Sequence, residues 1–559
     1  MAVMIQHRHI IRWGITILIV ISLILGWNLL DPQHPIRANT NHQIKEGYQA
    51  IKDQLTSDPT SPNTALGDIK SLERAATDLT TESKQYTRAD DFLQHIRSVV
   101  RLPAVTVRDA ASTCTWDSAQ PVNFQYSPET AWNANPLSNG VISSHRKEWQ
   151  NFLLRDTVPW GKVERQFQGR GIVVLAGNQR TFLRSMVFFR ALSATKTKLP
   201  VELHYFGNEL SAQNRTDIKA LYPNLFFNDL NDTSQIVKGT GDNWVNYNLK
   251  TAAVLNSKFA EIILLDSDNI PLEDPATMFE SNVYRRLGTI FWPDIARTRP
   301  LNPAWALTNT PCRMQEYEQE SGQMVVDKTR FWYHLQLANF WTNDKFVETF
   351  LLGDKDTFRF AWHALKTEYG RPARWLTSIG TVHRPRNEVS FPRPVGPRED
   401  GVTTSDSKMS SEEERKSDRK NGGGYYCGHT FAQHHPDATT SSHIVFLHGG
   451  LLKSQDKPIL RHEIEYGAGV FSAYKDSSGA ADASHIEPVG IKWDGGEYLE
   501  KAEKDLMKYP AFCVDFWDVI PGPVGDEHTK ELKDVENRVR KFDVYWTLNH
   551  TGSEPLKDG

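Results

Sequence analysis

The chain has 559 residues, 39% of them hydrophobic and 24% charged, which is enough apolar material for a large core and too much for a disordered chain. A formal net charge of −4 provides no broad positive field, so nucleic acid is excluded as a partner. None of Cys114, Cys312, Cys427 and Cys513 forms a C-x-x-C, which argues against a cysteine zinc site and leaves about three disulfide pairings open in an oxidising compartment.

Residues 1–12 read as a cytoplasmic tail carrying Arg8 and Arg12, and residues 13–30, from Trp13 to Leu30, form an uncharged apolar run just long enough to span a bilayer. Basic residues before the run orient it with the rest of the chain across the membrane. Asp31-Pro32-Gln33 follows without a small-x-small cleavage site, so the run reads as a signal anchor rather than a cleaved signal peptide. Acceptor sequons at Asn214-Arg215-Thr216, Asn231-Asp232-Thr233 and Asn549-His550-Thr551 agree with a lumenal body. Residues 31–169 are polar and read as a stem whose later half, with Trp116, Trp132 and Trp149, packs on the body.

The body, residues 170–559, opens with the buried-strand pattern Gly171-Ile172-Val173-Val174-Leu175, ending in Ala176-Gly177-Asn178. A helix from Thr181 to Ala194, a strand from Val201, a helix from Ala212 to Leu221, a strand at Leu225 and a helix from Asn248 to Phe259 complete a series of βαβ units. They lead to Ile262-Ile263-Leu264-Leu265-Asp266-Ser267-Asp268, a buried strand ending in two carboxylates one residue apart. Ligands of open α/β sheets bind beyond the carboxyl ends of the strands, where such a pair can share one hard cation. The same two residues could instead simply stop the strand and cap the turn.

A strand is expected at Gly288 to Pro293, a polar and then apolar stretch at Glu318 to Asp327, and a helix from Thr329 to Trp341. Gly353-Asp354-Lys355-Asp356-Thr357 opens another helix, where acidic residues suit the positive end of the dipole. Residues 385–424 are rich in Pro, Ser, Glu, Lys and Gly and read as a disordered insertion. Ser442 to Gly450 is a further strand ending in His448, and Phe512 to Trp517 another that seals the core.

In that order, Leu264-Leu265-Asp266-Ser267-Asp268, Glu320-Ser321-Gly322-Gln323, Gly353-Asp354-Lys355-Asp356-Thr357-Phe358 and His448-Gly449-Gly450 resemble the fungal α-mannosyltransferases of glycosyltransferase family 71. The resemblance implies a GT-A-type, Rossmann-like α/β fold with a mostly parallel sheet. It implies a type II Golgi enzyme that transfers mannose from GDP-mannose, with retention, to mannosylated glycan acceptors, with a Golgi mannosyltransferase complex as a further partner. It also implies Mn²⁺ held by Asp266, Asp268 and His448, a donor set of hard oxygens and one imidazole that suits this ion. Glu320, Asp354 and Asp356 would face the sugar as catalytic carboxylates. Asn178, Arg180, Lys250, Ser267 and Lys453 would hold the donor. Blander roles stand beside these: helix capping for Asp354 and Asp356, a helix start for Arg180, a solvated surface charge for Lys453 and a satisfied strand-end histidine for His448.

Two further readings compete. Phosphatases of the haloacid-dehalogenase type also end a strand in Asp-x-Asp, but on the first strand of their domain. A non-catalytic mannan-binding subunit would keep the sugar groove without turnover.

Overall fold

A computed structural model gives the fold and describes residues 69–114, 137–239, 247–351, 353–383, 425–438, 443–449, 473–475, 512–515 and 535–546, with single positions inside these ranges excepted. The expected tail and anchor, the first part of the stem, the 385–424 insertion and Lys453 lie outside them. Among the described residues no helix is long and apolar enough to cross a membrane.

The central sheet holds β1 (Arg170–Leu175), β2 (Val201–Tyr205), β3 (Leu225–Asp229), β4 (Glu261–Asp266), β6 (Thr289–Pro293) and β7 (Gln319–Asp327), in the order β3-β2-β1-β4-β7-β6. The first four of that order are parallel; β7 runs antiparallel to both β4 and β6. A second, antiparallel sheet takes β5 (Asn269–Pro271), β8 (Thr377–His383), β9 (Tyr425–His434), β10 (Ile444–His448) and β11 (Ala473–Lys475), ordered β11-β8-β9-β10-β5, with β12 (Phe512–Asp515) on β9. This is the expected GT-A-type, Rossmann-like α/β architecture.

The apolar run of β4 explains its central place. Ile262, Ile263, Leu264 and Leu265 are fully buried, and alternate residues serve opposite layers. Ile262 and Leu264 join a cluster with Leu255, Trp332 and Phe358, while Ile263 and Leu265 join Ile172, Val174 and Phe188. Each such side chain contributes about 1.5–3 kcal/mol relative to an exposed one.

The stretch 69–169, expected as stem, is helical in much of its described part: α1 (Ile69–Ser83), α2 (Phe92–Val99), α3 (Val107–Ser112) and α4 (Asn139–Asn151). Its apolar residues share the body's core, with Leu72, Phe92, Trp149 and Trp160 in the cluster that holds Trp332 and Trp341. Packing therefore begins earlier in the chain than the later half of the stem. Cys114 is bonded to Cys312, and the β9–β12 register sets Cys427 opposite Cys513.

Candidate active site

Three elements meet at the end of β4. The strand terminates at Asp266, Ser267 and Asp268 form a tight turn, and Asn269 opens β5 in the other sheet. There Asn269 pairs antiparallel with His448, the last residue of β10. The chain thus passes between sheets at the Asp-x-Asp turn, and His448 arrives from the second sheet. Asn269 pins the junction: its amide is buried and donates to Gly322 O at 3.0 Å and to Gln323 Oε1 at 2.7 Å on β7.

The imidazole lies among carboxylates. His448 Nε2 is 3.1 Å from Asp268 Oδ1 and 3.8 Å from Asp266 Oδ2, and Nδ1 is 3.4 Å from Glu320 Oε2, a contact that is an ion pair rather than an aligned hydrogen bond. Gly322 makes this possible, because a Cβ there would stand 2.6 Å from His448 Cε1. One ligand atom from each of Asp266, Asp268 and His448 falls within 4.8 Å of the others, a grouping able to hold a metal ion. A second such group, His145 with Glu148 and Asp344, lies elsewhere and more exposed.

The electrostatics favour positive charge here. Burial disfavours the His448 imidazolium, yet Glu320 and Asp268 outweigh it and raise its pKa to about 10. Burial would likewise raise Glu320, but His448 and the Gly322 N–H, donated to Oε1 at 2.8 Å, hold it down at about 2. A cage that selects a cation so strongly suits a divalent ion as well as a proton.

Lys250 comes from α7 (Tyr247–Asn256), following α5 (Gln179–Ala194) and α6 (Ala212–Leu221) in the chain. Its Nζ lies 3.0 Å from Asp266 Oδ1 and 3.2 Å from Asp354 Oδ2, and donates to Ser321 Oγ at 3.2 Å. Burial works against its charge, but the two aspartates raise its pKa. Asp354, just before α9 (Lys355–Ala364; α8 is Lys328–Thr342), is pushed up by burial and opposed by Lys250. Asp266, Asp268, His448, Glu320, Lys250 and Asp354 are thereby drawn into one connected cluster, with Ser267 buried in its turn.

Asp356, expected to face the sugar, is paired with Arg359 rather than with Lys250 or His448. Its Oδ1 lies 2.8 Å from Arg359 Nη2 and accepts the Gln319 N–H at 3.2 Å, within a separate buried network that includes Glu316, Glu318 and Lys355. Asn178 and Arg180 sit past the tip of β1, whose Leu175 is in register with Asp266. Asn178 serves as the N-cap of α5, accepting the Thr181 N–H at 3.0 Å.

Sequence reasoning missed Arg184 on α5, whose Nη1 lies 3.5 Å from Asp268 Oδ2. Most of that helix's side chains are buried, including Phe182, Ser185, Met186 and Phe188, so no polar face in the pattern sets Arg184 apart.

Residues 169–313 and 303–434 match the mannosyltransferase family model Mannosyl_trans3. The α-1,2-mannosyltransferase MNN2 of Candida albicans is 25% identical over 256 residues, covering 44% of this chain and 36% of that protein. The α-1,3-mannosyltransferase MNN1 of Saccharomyces cerevisiae is 27% identical over 162 residues, 26% of this chain and 21% of its own length. The chain spans less than half the length of these curated relatives. Among solved structures, the mannosyltransferase Ktr4p of S. cerevisiae aligns with 49% of this chain and 84% of its own, at 13% identity and a TM-score of 0.25. Segment 169–434, just under half of the chain, is thus similar to this mannosyltransferase family, and parts of the chain are similar to fungal α-1,2- and α-1,3-mannosyltransferases.

Proposed function

We propose that the chain transfers mannose from GDP-mannose, with retention, to an α-mannoside acceptor on a glycoprotein, using Mn²⁺ held by Asp266, Asp268 and His448. The observation that carries the reading is the gathering of these three ligand atoms within 4.8 Å, two hard carboxylates and one imidazole. When bound, the cation supplies Lewis-acid neutralisation of the charge on the departing diphosphate.

The chain's own residues do the rest. Glu320 and Asp354 present carboxylates beside the cluster, where a mannose ring would offer hydroxyls, and charged acceptors make the strongest such bonds. The same carboxylates stabilise the cationic sugar as its C1–O bond to the diphosphate breaks and the acceptor oxygen bonds to C1, the acceptor proton leaving with a phosphate or carboxylate oxygen. Lys250 keeps Asp266 and Asp354 in place. Asn178, Arg180, Ser267 and Lys453 serve the nucleotide and its phosphates. The basic-then-apolar N-terminus and the sequons support a Golgi membrane protein with a lumenal body, working alone or in a mannosyltransferase complex.

The phosphatase reading loses ground because Asp266 ends the fourth strand among the described residues rather than the first. The test is incubation of the full-length protein with GDP-mannose, Mn²⁺ and an α-mannoside acceptor. An α-linked mannosyl product is expected. Phosphate release from simple monoesters without transfer would favour the phosphatase, and acceptor binding without turnover the binding subunit.

A further inference from the structure

A cavity of about 550 Å³ lies beside β6, the edge strand of the central sheet, and none of its lining residues belongs to the cluster at the Asp-x-Asp turn. Three arginines line it: Arg286 in the last turn of the short helix Asn282–Leu287, Arg313 just after the disulfide-bonded Cys312, and Arg371 just after Gly370. Two carboxylates share the wall, and both are already engaged. Glu316 is 5% exposed; it lies 2.8 Å from His363 Nε2 and 3.2 Å from Arg313 Nη1, and accepts the Tyr369 hydroxyl at 3.0 Å. Glu368 pairs with Lys84 at 2.8 Å. Arg286 and Arg371, by contrast, are exposed, and among the described residues neither guanidinium forms a hydrogen bond or ion pair.

The backbone beside Arg371 is fixed by β6. Gly370 accepts the Phe291 N–H at 2.8 Å and donates its own to Thr289 Oγ1 at 2.9 Å. A Cβ on it would stand 2.0 Å from Thr289 O, so this position is pressed against the strand. Cations that line one cavity without countercharge repel one another, and an anion between them relieves the repulsion. Phosphate suits them best, because its oxygens accept the planar guanidinium fork two hydrogen bonds at a time. The volume falls within the range of about 300–1,000 Å³ found for sites that enclose small organic molecules, so it holds more than a bare ion. Thr80 and Gln315, also in the wall, offer a hydroxyl and an amide to a polar body.

We propose that this cavity is a second ligand site, which takes a phosphate ester carried on a sugar-sized polar body, with Arg286 and Arg371 holding the phosphate. The phosphate ester can sit on a glycan chain or on a free sugar; the chemistry of recognition is the same. The site uses none of the residues assigned to the metal or the donor, and so stands apart from the proposed transfer reaction.

The test is calorimetry on the full-length protein with a chelator present, using mannose 6-phosphate, a phosphorylated α-mannobiose, inorganic phosphate and mannose as probes. The variants are Arg286→Gln, Arg371→Gln, Arg371→Lys and Asp268→Ala, with melting temperature recorded for each. The parent should bind both sugar phosphates, inorganic phosphate more weakly and mannose not at all, and added salt should weaken the binding. Each Gln variant should bind at least about tenfold more weakly, the loss of a charge-assisted hydrogen bond, with an unchanged melting temperature because neither guanidinium holds a partner in the protein. Arg371→Lys keeps the charge but not the fork and should fall between parent and Arg371→Gln; it carries the test if a Gln variant does not fold. Asp268→Ala should bind as the parent does, which separates this site from the metal reading: loss of binding in that variant would place the phosphate at the Asp-x-Asp turn and overturn the proposal. Tighter binding of the mannobiose assigns the ester to a glycan chain, and equal or tighter binding of mannose 6-phosphate to a free sugar phosphate; both support the site. No binding by the parent, undiminished binding in both Gln variants, or equal affinity for inorganic phosphate and the sugar phosphates overturns the proposal.

Discussion

His448 stands opposite Asn269 in the antiparallel pairing of β10 with β5, and this one backbone register carries an imidazole from residue 448 to a turn at residue 267. Because β5 begins one residue after Asp268, any slip of β10 would move His448 off the carboxylates and turn its side chain to the other face of the sheet. The cluster therefore depends on the joint between two sheets rather than on the Asp-x-Asp sequence alone.

Gly322 is the tightest constraint on that joint. With a Cβ only 2.6 Å from His448 Cε1 and 2.7 Å from Nε2, Gly322→Ala must push the ring away from Asp268 or move β7. Mn²⁺ affinity should fall at least about tenfold, the loss expected when one ligand or its support is displaced. Calorimetry checks this; parent-like affinity would mean that the ring is not held where the cluster needs it.

Asp356 has a structural task. Asp356→Ala leaves Arg359, only 1% exposed, without its closest carboxylate, and breaking a buried pair in this way costs about 3–5 kcal/mol. Thermal or urea unfolding should show the loss directly. A folded, equally stable variant with kcat reduced a hundredfold would instead return Asp356 to the sugar.

Stability should fall in acid because of buried neutral histidines. Burial lowers the pKa of His95 and His334, brings His363 to about 4 and takes His434 to about 3. The unfolded chain takes up these protons near pH 6.5, so the stability they contribute is present above that pH and is lost as the pH falls towards the folded values, at up to about 1.4 kcal/mol per group per pH unit. Asp356, raised by burial to about 6, works the other way between about 6 and its ordinary value, as do Asp327 and Asp354, which burial also raises, but these are three groups against four. The urea midpoint should be lower at pH 5 than at pH 6.5; an equal or higher midpoint at pH 5 contradicts this.

Much of the parallel half of the fold was legible in the sequence, since the runs at Ile172, Val201 and Ile262 alternate with helical patterns and end in polar tips. The strand β7 was not, because Gln319-Glu320-Ser321-Gly322-Gln323 carries no strand signal until Met324, and its pairing with β4 is supplied by tertiary contacts. Asp266, Asp268 and His448 were legible through their strand-end positions. Arg184, hidden in a mostly buried helix, and the diversion of Asp356 to Arg359 were not, since spacing alone does not tell a carboxylate facing a ligand from one facing a buried arginine.

Metal-dependent mannosyl transfer is tested most directly by comparing the parent protein with Asp268→Ala. Transfer from GDP-mannose to an α-mannoside is measured with Mn²⁺ and with a chelator, beside the melting temperature of each protein. The parent should transfer mannose only with the ion, and Asp268→Ala should be folded and inactive under both conditions. A soluble, folded Asp268→Ala protein with near-normal turnover would contradict it.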